Sequence, residues 1–195
     1  GGSGTFQTIN APFMANGDLV FNATDSAGKP GIYRLPADGR PLQVVANTNT
    51  PVPFVNPSTP TGSAGTFSYF SQYPTVSNGV VAFTGESSGT LPGGRHQEGL
   101  FLADAAGTIT ARADRATGLG QPGNDTLFQV SPTISAGATV FVAGIGTFPG
   151  GPYSDLAYYL PASGNGGPFA TAGQQFQFWP ALDLGLLAYT TDANG

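Results

Sequence analysis

The apolar residues of this chain recur in one pattern, Pro-x-apolar-x-x-Gly-x-apolar-x-aromatic. The sequence contains four copies of it: PFMANGDLVF from Pro12, PTVSNGVVAF from Pro74, PTISAGATVF from Pro132 and PALDLGLLAY from Pro180. The alternation after the Gly predicts a β-strand, and the Asn-Gly pairs predict the tight turn of a β-hairpin, because Asn and Gly adopt positive φ at little cost. The Pro removes one backbone donor, which is tolerated where a strand begins. Each copy therefore predicts an antiparallel hairpin of two strands, a and b.

Two further short apolar segments follow each of the first three hairpins. They are GIYRL and LQVVA around Asp38-Gly39, GLFLA and ITARA around Ala106-Gly107, and AYYLP and PFATA around Gly164. With these strands, c and d, each unit has four antiparallel strands, and four-stranded units in tandem are typical of β-propeller blades. The sequence predicts an all-β, propeller-like array of about three and a half blades, with units at 6–66, 67–127, 128–175 and an incomplete 176–195. These units form a single domain over 1–195, part of a larger propeller; a twisted β-sandwich or an open stack of blades is the alternative.

Composition narrows the class of protein. The chain has 195 residues, of which 39% are hydrophobic, and it carries 30 Gly and 17 Pro, which favours short strands joined by many turns over long helices. The net charge of -5 opposes binding to a phosphate backbone, so nucleic acid is not an expected partner. The chain has no cysteine, which excludes disulfides and thiolate chemistry. No apolar run is long enough to span a bilayer. Low charge with abundant small polar residues indicates an exported bacterial protein, extracellular or at the cell surface.

The hairpin segment resembles the blades of TolB-like and WD40-like propellers at a few positions: Pro74, Ser77, Gly79, Ala82 and Phe83. The whole unit is more similar to secreted bacterial tandem repeats with an Asn-x-x-Gly-x-x-Ala-Phe signature. The further matches to that family are Gly31-Ile32-Tyr33, Val45-Ala46, Thr50-Pro51-Val52-Pro53 and Gly65-Thr66-Phe67. The signature Asn is replaced here by Met14, Val76, Ile134 and Leu182, which predicts a turn of different length. The resemblance implies an exported scaffold with no general activity.

The first six residues, GGSGTF, are similar to GSAGTF at 62–67, and the fourth copy of the motif is not followed by strands c and d. Both observations predict that the chain is interrupted within an array of blades. An interrupted array leaves strand edges unpaired and one face of the first unit without a neighbouring blade. We therefore expect a partner protein or further copies of the chain, joined by strand addition at the open blade edges.

Candidate ligand residues lie on the b–c and d–a connections, which occupy one face of a propeller. A shared Pro-Gly-Gly turn in units 2 and 3 is expected to project their side chains into solvent, and a single tryptophan lies near the fourth motif. The predicted ligand or partner face consists of Arg95, His96, Glu98, Tyr153, Asp155 and Trp179. Tyr69, Phe70 and Tyr73 could also stack on a sugar, although aromatic residues at the recurring Phe positions are more often core.

Enzyme and metal motifs are weak. The segment Gly85–Gly89 matches the Gly-x-Ser-x-Gly form of a nucleophile elbow, with His96 and Glu98 nearby, but that motif requires a strand, a sharp turn and a helix. An acid follows strand b in three units, at Asp25, Glu86 and Asp192, which permits a weak calcium cluster; solvated turn acids are the favoured interpretation. No other cofactor is indicated.

Three functions follow from these observations. The sequence favours a non-enzymatic, exported structural or assembly protein that presents a rigid β-repeat scaffold. A glycan-binding module with Tyr153 or Trp179 as a stacking platform is the alternative. A polysaccharide hydrolase or lyase using Glu86, Glu98 or Asp155 is the weakest, because the motif alone places no carboxylate pair at a defined separation.

Overall fold

The computed structural model describes residues 5–55, 65–91, 94–115, 125–128, 132–146, 153–163, 166–170, 181–183 and 186–188. These residues form sixteen β-strands, all paired antiparallel, and no helix. The all-β expectation is therefore confirmed. None of the described residues belongs to a helix that could cross a bilayer.

The first sheet has four strands in chain order: β1 Phe6–Ala15, β2 Asp18–Asp25, β3 Pro30–Leu35 and β4 Gln43–Asn47. These are the expected strands a to d of unit 1. The pairing of β1 with β2 shifts register between Asn10 and Phe13, where Ala11 has a φ of 32°. Pro12 lies in this break and has no N–H to donate, so the irregularity costs the ladder little.

The second and third sheets have five strands each. The second consists of β5 Phe67–Phe70, β6 Thr75–Ser77, β7 Val80–Thr90, β8 His96–Ala103 and β9 Ile109–Asp114. The third consists of β10 Asp125–Phe128, β11 Thr133–Ser135, β12 Ala138–Gly146, β13 Tyr153–Leu160 and β14 Gly167–Ala170. In both, two short strands pair with the same long strand, so strand a is divided in two near Pro74 and Pro132. A two-stranded sheet follows, β15 Ala181–Asp183 and β16 Leu186–Ala188.

The hairpin turns have the geometry that the Asn-Gly pairs predict. Asn16 and Gly17 have φ values of 51° and 81°, and Asn78 and Gly79 have 49° and 79°. Positive φ at both central residues defines a type I′ turn, whose twist matches that of the flanking strands. The third turn has the same backbone, with φ values of 48° at Ala136 and 82° at Gly137.

Each of the first three sheets has a face that carries a cross-strand aromatic pair, which we name the leading face. The pairs are Phe21–Tyr33, Phe83–Phe101 and Phe141–Tyr158. The opposite, trailing face carries an aliphatic pair, Ile32–Ala46 in the first sheet and Leu100–Ala113 in the second. Cross-strand partners share one face of a sheet, so the register alone assigns these pairs.

The hydrophobic core lies between consecutive sheets. Val20, Ile32 and Ala46, on the trailing face of the first sheet, pack against Val76, Val81, Phe83 and Phe101 on the leading face of the second. Leu100 and Ala113 of the second sheet pack in the same way against Phe141 and Tyr158 of the third. Two junctions of the same kind therefore join three sheets in series.

Hydrogen bonds from one sheet to the next accompany these apolar junctions. The Asn22 side chain donates to the Phe70 and Ser71 carbonyls at 3.3 and 3.0 Å, and the Thr75 hydroxyl donates to the Pro132 carbonyl at 2.9 Å. No described sheet closes on itself, and the described sheets share no backbone ladder with one another. The joints therefore consist of packed faces, fixed by a few buried polar contacts.

Candidate functional site

The expected b–c loop of unit 2 is mostly strand. β7 and β8 pair as far as Thr90 and His96, and the Leu91 N–H donates to the Arg95 carbonyl at 2.6 Å. His96 and Glu98 therefore belong to β8, and their predicted placement in a long solvent loop is wrong. The glycine-rich segment forms strand because its backbone finds partners on both sides, in β5 and in β8.

This extended hairpin brings two of the candidate acids together. Tyr69 on β5 is paired with Glu86 on β7, which is paired with Glu98 on β8. The three side chains therefore share one face of the second sheet, and directly opposed residues have Cβ atoms about 4.5–5.5 Å apart. The sequence indicated each acid separately, but only the strand register places them side by side.

Arg115 completes this row of side chains. Its guanidinium donates to Glu98 Oε2 at 2.8 Å and to the His96 carbonyl at 3.0 Å, and its backbone N–H donates to the Glu98 carbonyl. The ion pair is largely buried, with Arg115 10% and Glu98 19% exposed at the side chain. Glu98 is thus held by a cation that sequence reasoning did not identify, instead of projecting into solvent.

The row has the composition of a site for a hydroxyl-rich ligand. Tyr69 is 56% exposed and lies directly across from Glu86, which in turn lies across from Glu98 and its partner Arg115. Sugars use such rings for stacking and such polar groups for hydrogen bonds. Glycosidases also use a pair of carboxyl groups, and Glu86 and Glu98 are directly opposed across β7 and β8. We name the set Tyr69, Glu86, Glu98 and Arg115 the carboxylate row.

The opposite face of the same strands carries a buried polar group of side chains. Gln97 is fully buried, and in the described part of the chain neither its amide oxygen nor its amide nitrogen has a hydrogen-bond partner. Asp114, also fully buried, accepts a hydrogen bond from the Val55 N–H at 2.8 Å. Residue 55 follows β4 in the chain, so the connection leaving the first sheet covers this face. No signal in the sequence predicts the burial of these two polar side chains.

The remaining candidate ligand residues lie in different environments. Phe70 is buried in the core, which confirms the core interpretation for a recurring Phe position, whereas Tyr73 is exposed. Tyr153 and Asp155 lie in β13, opposite Gly146 and Gly144 of β12, so they too are in strand and their predicted loop placement is wrong. Trp179 lies outside the described residues.

The predicted calcium acids have other roles where they are described. Asp25 Oδ1 accepts hydrogen bonds from the N–H groups of Ala27 and Lys29 at 2.8 and 2.9 Å, so it caps the turn after β2. Glu86 lies within β7, four residues before its end. Asp192 lies outside the described residues, and within them no group of three His, Asp or Glu side chains could hold a metal ion.

The nucleophile-elbow interpretation fails on local structure. Gly85–Gly89 is extended backbone inside β7 and contains no sharp turn into a helix, and the Ser87 hydroxyl donates to the Gly89 carbonyl at 3.0 Å. The His96 Nδ1 atom lies 3.0 Å from that same carbonyl. A nucleophilic serine needs a sharp strand-to-helix turn that exposes its oxygen, and a strand does not provide one.

A cavity of about 220 Å³ lies between the first and second sheets, at the end that carries the hairpin turns. Val45, Val81 and Ala103 form its apolar lining, and Arg34 and Asp104 contribute charge. Both charged groups have structural partners. Arg34 pairs with Asp18 Oδ2 at 2.8 Å, and Asp104 Oδ1 accepts from the N–H groups of Ala106 and Thr108. The cavity is small compared with ligand sites of about 300–1,000 Å³.

No protein-family model, no curated protein and no solved structure matches this chain. Its function is therefore inferred from its residues and their geometry.

Proposed function

We propose that this protein is a non-enzymatic structural scaffold, exported and displayed at a bacterial cell surface, which associates with further copies of itself. The observation that carries the proposal is the recurring junction, in which the trailing face of one sheet packs on the leading face of the next. Such joints let sheets be added in series without a new kind of interface, as in repeat proteins whose units contact only their neighbours. A propeller-like arrangement resembling secreted bacterial repeats belongs to the same proposal.

The low charge of the chain supports association. Only 9% of the residues are charged, and the net charge is -5 over 195 residues. Repulsion between copies is therefore weak at physiological ionic strength, where the screening length is about 8 Å.

The proposal is tested by light scattering of the purified chain from about 1 to 100 µM, together with antibody labelling of intact and lysed producing cells. We expect the mass to rise with concentration and intact cells to be labelled. A chain that stays monomeric throughout, or that is labelled only after lysis, contradicts the proposed function.

A second candidate is glycan binding at the carboxylate row, and the observation that favours it is the exposed ring of Tyr69 in register with Glu86. A glycan array should then give hits that Tyr69→Ala removes. Tyr159→Ala is the matched control, because Tyr159 is a comparably exposed tyrosine on a strand of the third sheet. An array without hits excludes this candidate.

Hydrolysis at the same row is separated from binding by one further assay. A release of reducing ends from a polysaccharide that bound on the array, abolished by Glu86→Gln and Glu98→Gln, indicates an enzyme. Binding without release leaves the protein a lectin-like module.

A further inference from the structure

The charges of the carboxylate row do not cancel. Arg115 donates to Glu98 Oε2 at 2.8 Å and to the His96 carbonyl at 3.0 Å, so the guanidinium neutralises Glu98. Glu86 lies directly across from Glu98 and is partly buried. Among the described residues, the Glu86 carboxylate accepts no hydrogen bond and forms no ion pair. The row therefore has an excess of negative charge, and that excess lies at Glu86.

Tyr69 gives this carboxylate an aromatic neighbour. The two residues are cross-strand partners on β5 and β7, and Tyr69 is 56% exposed. Directly opposed residues have Cβ atoms about 4.5–5.5 Å apart, so a ligand that rests on the ring lies within reach of Glu86. The negative face of an aromatic ring attracts a cation, and this attraction adds to that of the carboxylate. The accessible part of the row is thus suited to a positively charged group.

The unpaired carboxylate discriminates between classes of sugar. An anionic sugar is repelled by Glu86, and a neutral sugar takes water away from the carboxylate without supplying an opposite charge. A protonated amine compensates the charge that it desolvates. The chain as a whole acts in the same direction, because its 11 Asp and Glu outnumber its 6 Lys and Arg, and its field favours the approach of cations.

We propose that the carboxylate row binds a glycan that carries free amino groups, with a sugar ring stacked on Tyr69 and an ammonium group paired with Glu86. This inference rests on the glycan-binding candidate above and specifies its ligand class. Aromatic stacking with an ion pair at one cross-strand position fixes both the ring and its charged substituent.

A glycan is favoured over a lysine-rich peptide because exposed hydroxyl groups flank the pair. Ser68 adjoins Tyr69 on β5, and Ser88 lies two positions beyond Glu86 on β7. The Ser68 hydroxyl donates to the Glu86 carbonyl at 3.2 Å, and the Ser88 hydroxyl accepts from the Thr66 N–H at 3.2 Å. A hydroxyl has one donor and two acceptor sites, so both serines retain the capacity to bind sugar hydroxyls.

The first test measures the affinity of the chain for a glucosamine hexamer and for the N-acetylated hexamer by isothermal titration calorimetry, at a pH where the free amines are protonated. The two probes share the sugar ring and differ in charge. We expect the glucosamine hexamer to bind at least about fivefold more tightly, and its affinity to fall as salt screens the ion pair. Equal affinity for the two probes overturns the inference.

The second test asks whether the charge acts locally. Glu86→Gln removes the charge and keeps the shape, and it should weaken binding of the glucosamine hexamer about fivefold. Asp38→Asn is the matched control, because it removes the same charge from an exposed turn of the first sheet. We expect this control to bind like the wild type. If both variants weaken binding equally, the net charge of the chain attracts the ligand and the row is not its site.

The third test separates the ring of Tyr69 from its hydroxyl. Tyr69→Phe should retain binding, whereas Tyr69→Ala should weaken it about fivefold, since only the ring face attracts the cation. Tyr69 is exposed, so circular dichroism should report the same fold for both variants; should Glu86→Gln unfold, this pair decides alone. Equal binding by the Phe and Ala variants contradicts the inference.

The array that tests the glycan-binding candidate distinguishes its failure from the failure of this inference. Hits confined to neutral or acidic glycans, and removed by Tyr69→Ala, leave a glycan-binding site and overturn the preference for amines alone. An array without hits overturns both. A lysine oligopeptide that binds and is lost in Glu86→Gln, with no amino glycan bound, would assign the row to a peptide ligand and also overturn the inference.

Discussion

Ala136 is a residue with a side chain in a backbone conformation that favours Gly and Asn. Its φ of 48° belongs to the left-handed region, which costs an ordinary L-residue about 1–2 kcal/mol. The corresponding residues of the first two turns are Asn16 and Asn78, whose side chains are joined by a hydrogen bond of 3.2 Å. The third turn therefore keeps the type I′ backbone without the residue that suits it.

Ala136→Asn should stabilise the protein by about 1 kcal/mol, because Asn tolerates positive φ. Asn78→Ala should destabilise it by a similar amount, since it creates the same strain and removes the contact with Asn16. Urea denaturation measures both free energies of unfolding. Equal stability of wild type and Ala136→Asn would show that the strain is relieved in another way.

Tyr158 is buried, and its hydroxyl has no hydrogen-bond partner among the described residues. The second sheet has Phe101 at the corresponding position, so the site accepts a ring without a hydroxyl. We expect Tyr158→Phe to raise the free energy of unfolding by about 1 kcal/mol at neutral pH, because an unpaired buried polar group costs about 1–3 kcal/mol.

The same phenol predicts a dependence on alkaline pH. Burial raises the pKa of Tyr158, and burial together with the Asp25 charge raises the pKa of Tyr33, above the ordinary value of 10.0. Ionisation of these phenols does not affect folding below pH 10, but the free energy of unfolding falls as the pH rises from 10 through the raised pKa values, because the unfolded chain releases these protons more readily. Tyr158→Phe with Tyr33→Phe should flatten the fall in melting temperature above pH 10; an unchanged profile would assign that fall to other groups.

At the scale of elements, a buried ion pair connects the first sheet to the turn of the second. Arg34 on β3 contacts Asp18 at 2.8 Å, with side chains only 6% and 10% exposed, and donates to the Gly79 carbonyl at 2.9 Å. Asp18 also accepts from the Ala37 N–H at 2.8 Å. The pair thus fixes three turns at one end of the junction.

Arg34→Met should lower the free energy of unfolding by about 3 kcal/mol, because it leaves a buried carboxylate uncompensated. Asp18→Asn added to it should recover part of that loss, since Asn keeps the acceptor for Ala37. Arg40→Met is the control, because the ion pair of Arg40 with Asp38 is about half exposed. The pKa of Asp38 is lowered mainly by its hydrogen bond from the Arg40 backbone N–H, and the substitution leaves that N–H in place. If Arg40→Met lowered the free energy of unfolding as much as Arg34→Met does, burial of the ion pair would not explain the effect.

At the scale of the whole molecule, two of the core clusters each belong to two sheets at once. Phe67 lies within 4.9 to 5.7 Å of the rings of Phe70, Phe83 and Phe101, and this cluster continues into Val20 and Ile32 of the first sheet. A substitution in one sheet should therefore also destabilise the neighbouring sheet, and its effect should decrease with distance along the series.

Phe67→Ala should destabilise the protein by about 3–5 kcal/mol and lower hydrogen-exchange protection in β2 and β3 as well as in β7 and β8. Protection in β12 and β13 should change less, because a different cluster holds the third sheet. Exchange measured by mass spectrometry on peptides from each strand tests this. Protection lost in the second sheet alone would mean that the junction carries little coupling.

The sequence determined the parts of this protein that depend on neighbours along the chain. Alternating apolar residues and Asn-Gly pairs specify strands and type I′ turns locally, so strands b, c and d and the turns at Gly17 and Gly79 were predicted in their observed order, although strands b and c of units 2 and 3 extend further than the pattern indicated. The division of strand a was missed, since Pro74 was expected to begin a strand that in fact resumes after a break.

The tertiary structure decided what depends on partners distant in sequence. The glycine-rich run after Phe83 has no alternation to indicate a strand, and it becomes one because β5 and β8 supply its hydrogen bonds. The same register sets Glu86 opposite Glu98, and the packing of sheets buries Val76 while leaving Met14 in solvent. Equivalent residues in a recurring motif therefore share a conformation, but their burial, and with it their capacity to bind, depends on whether another sheet covers them.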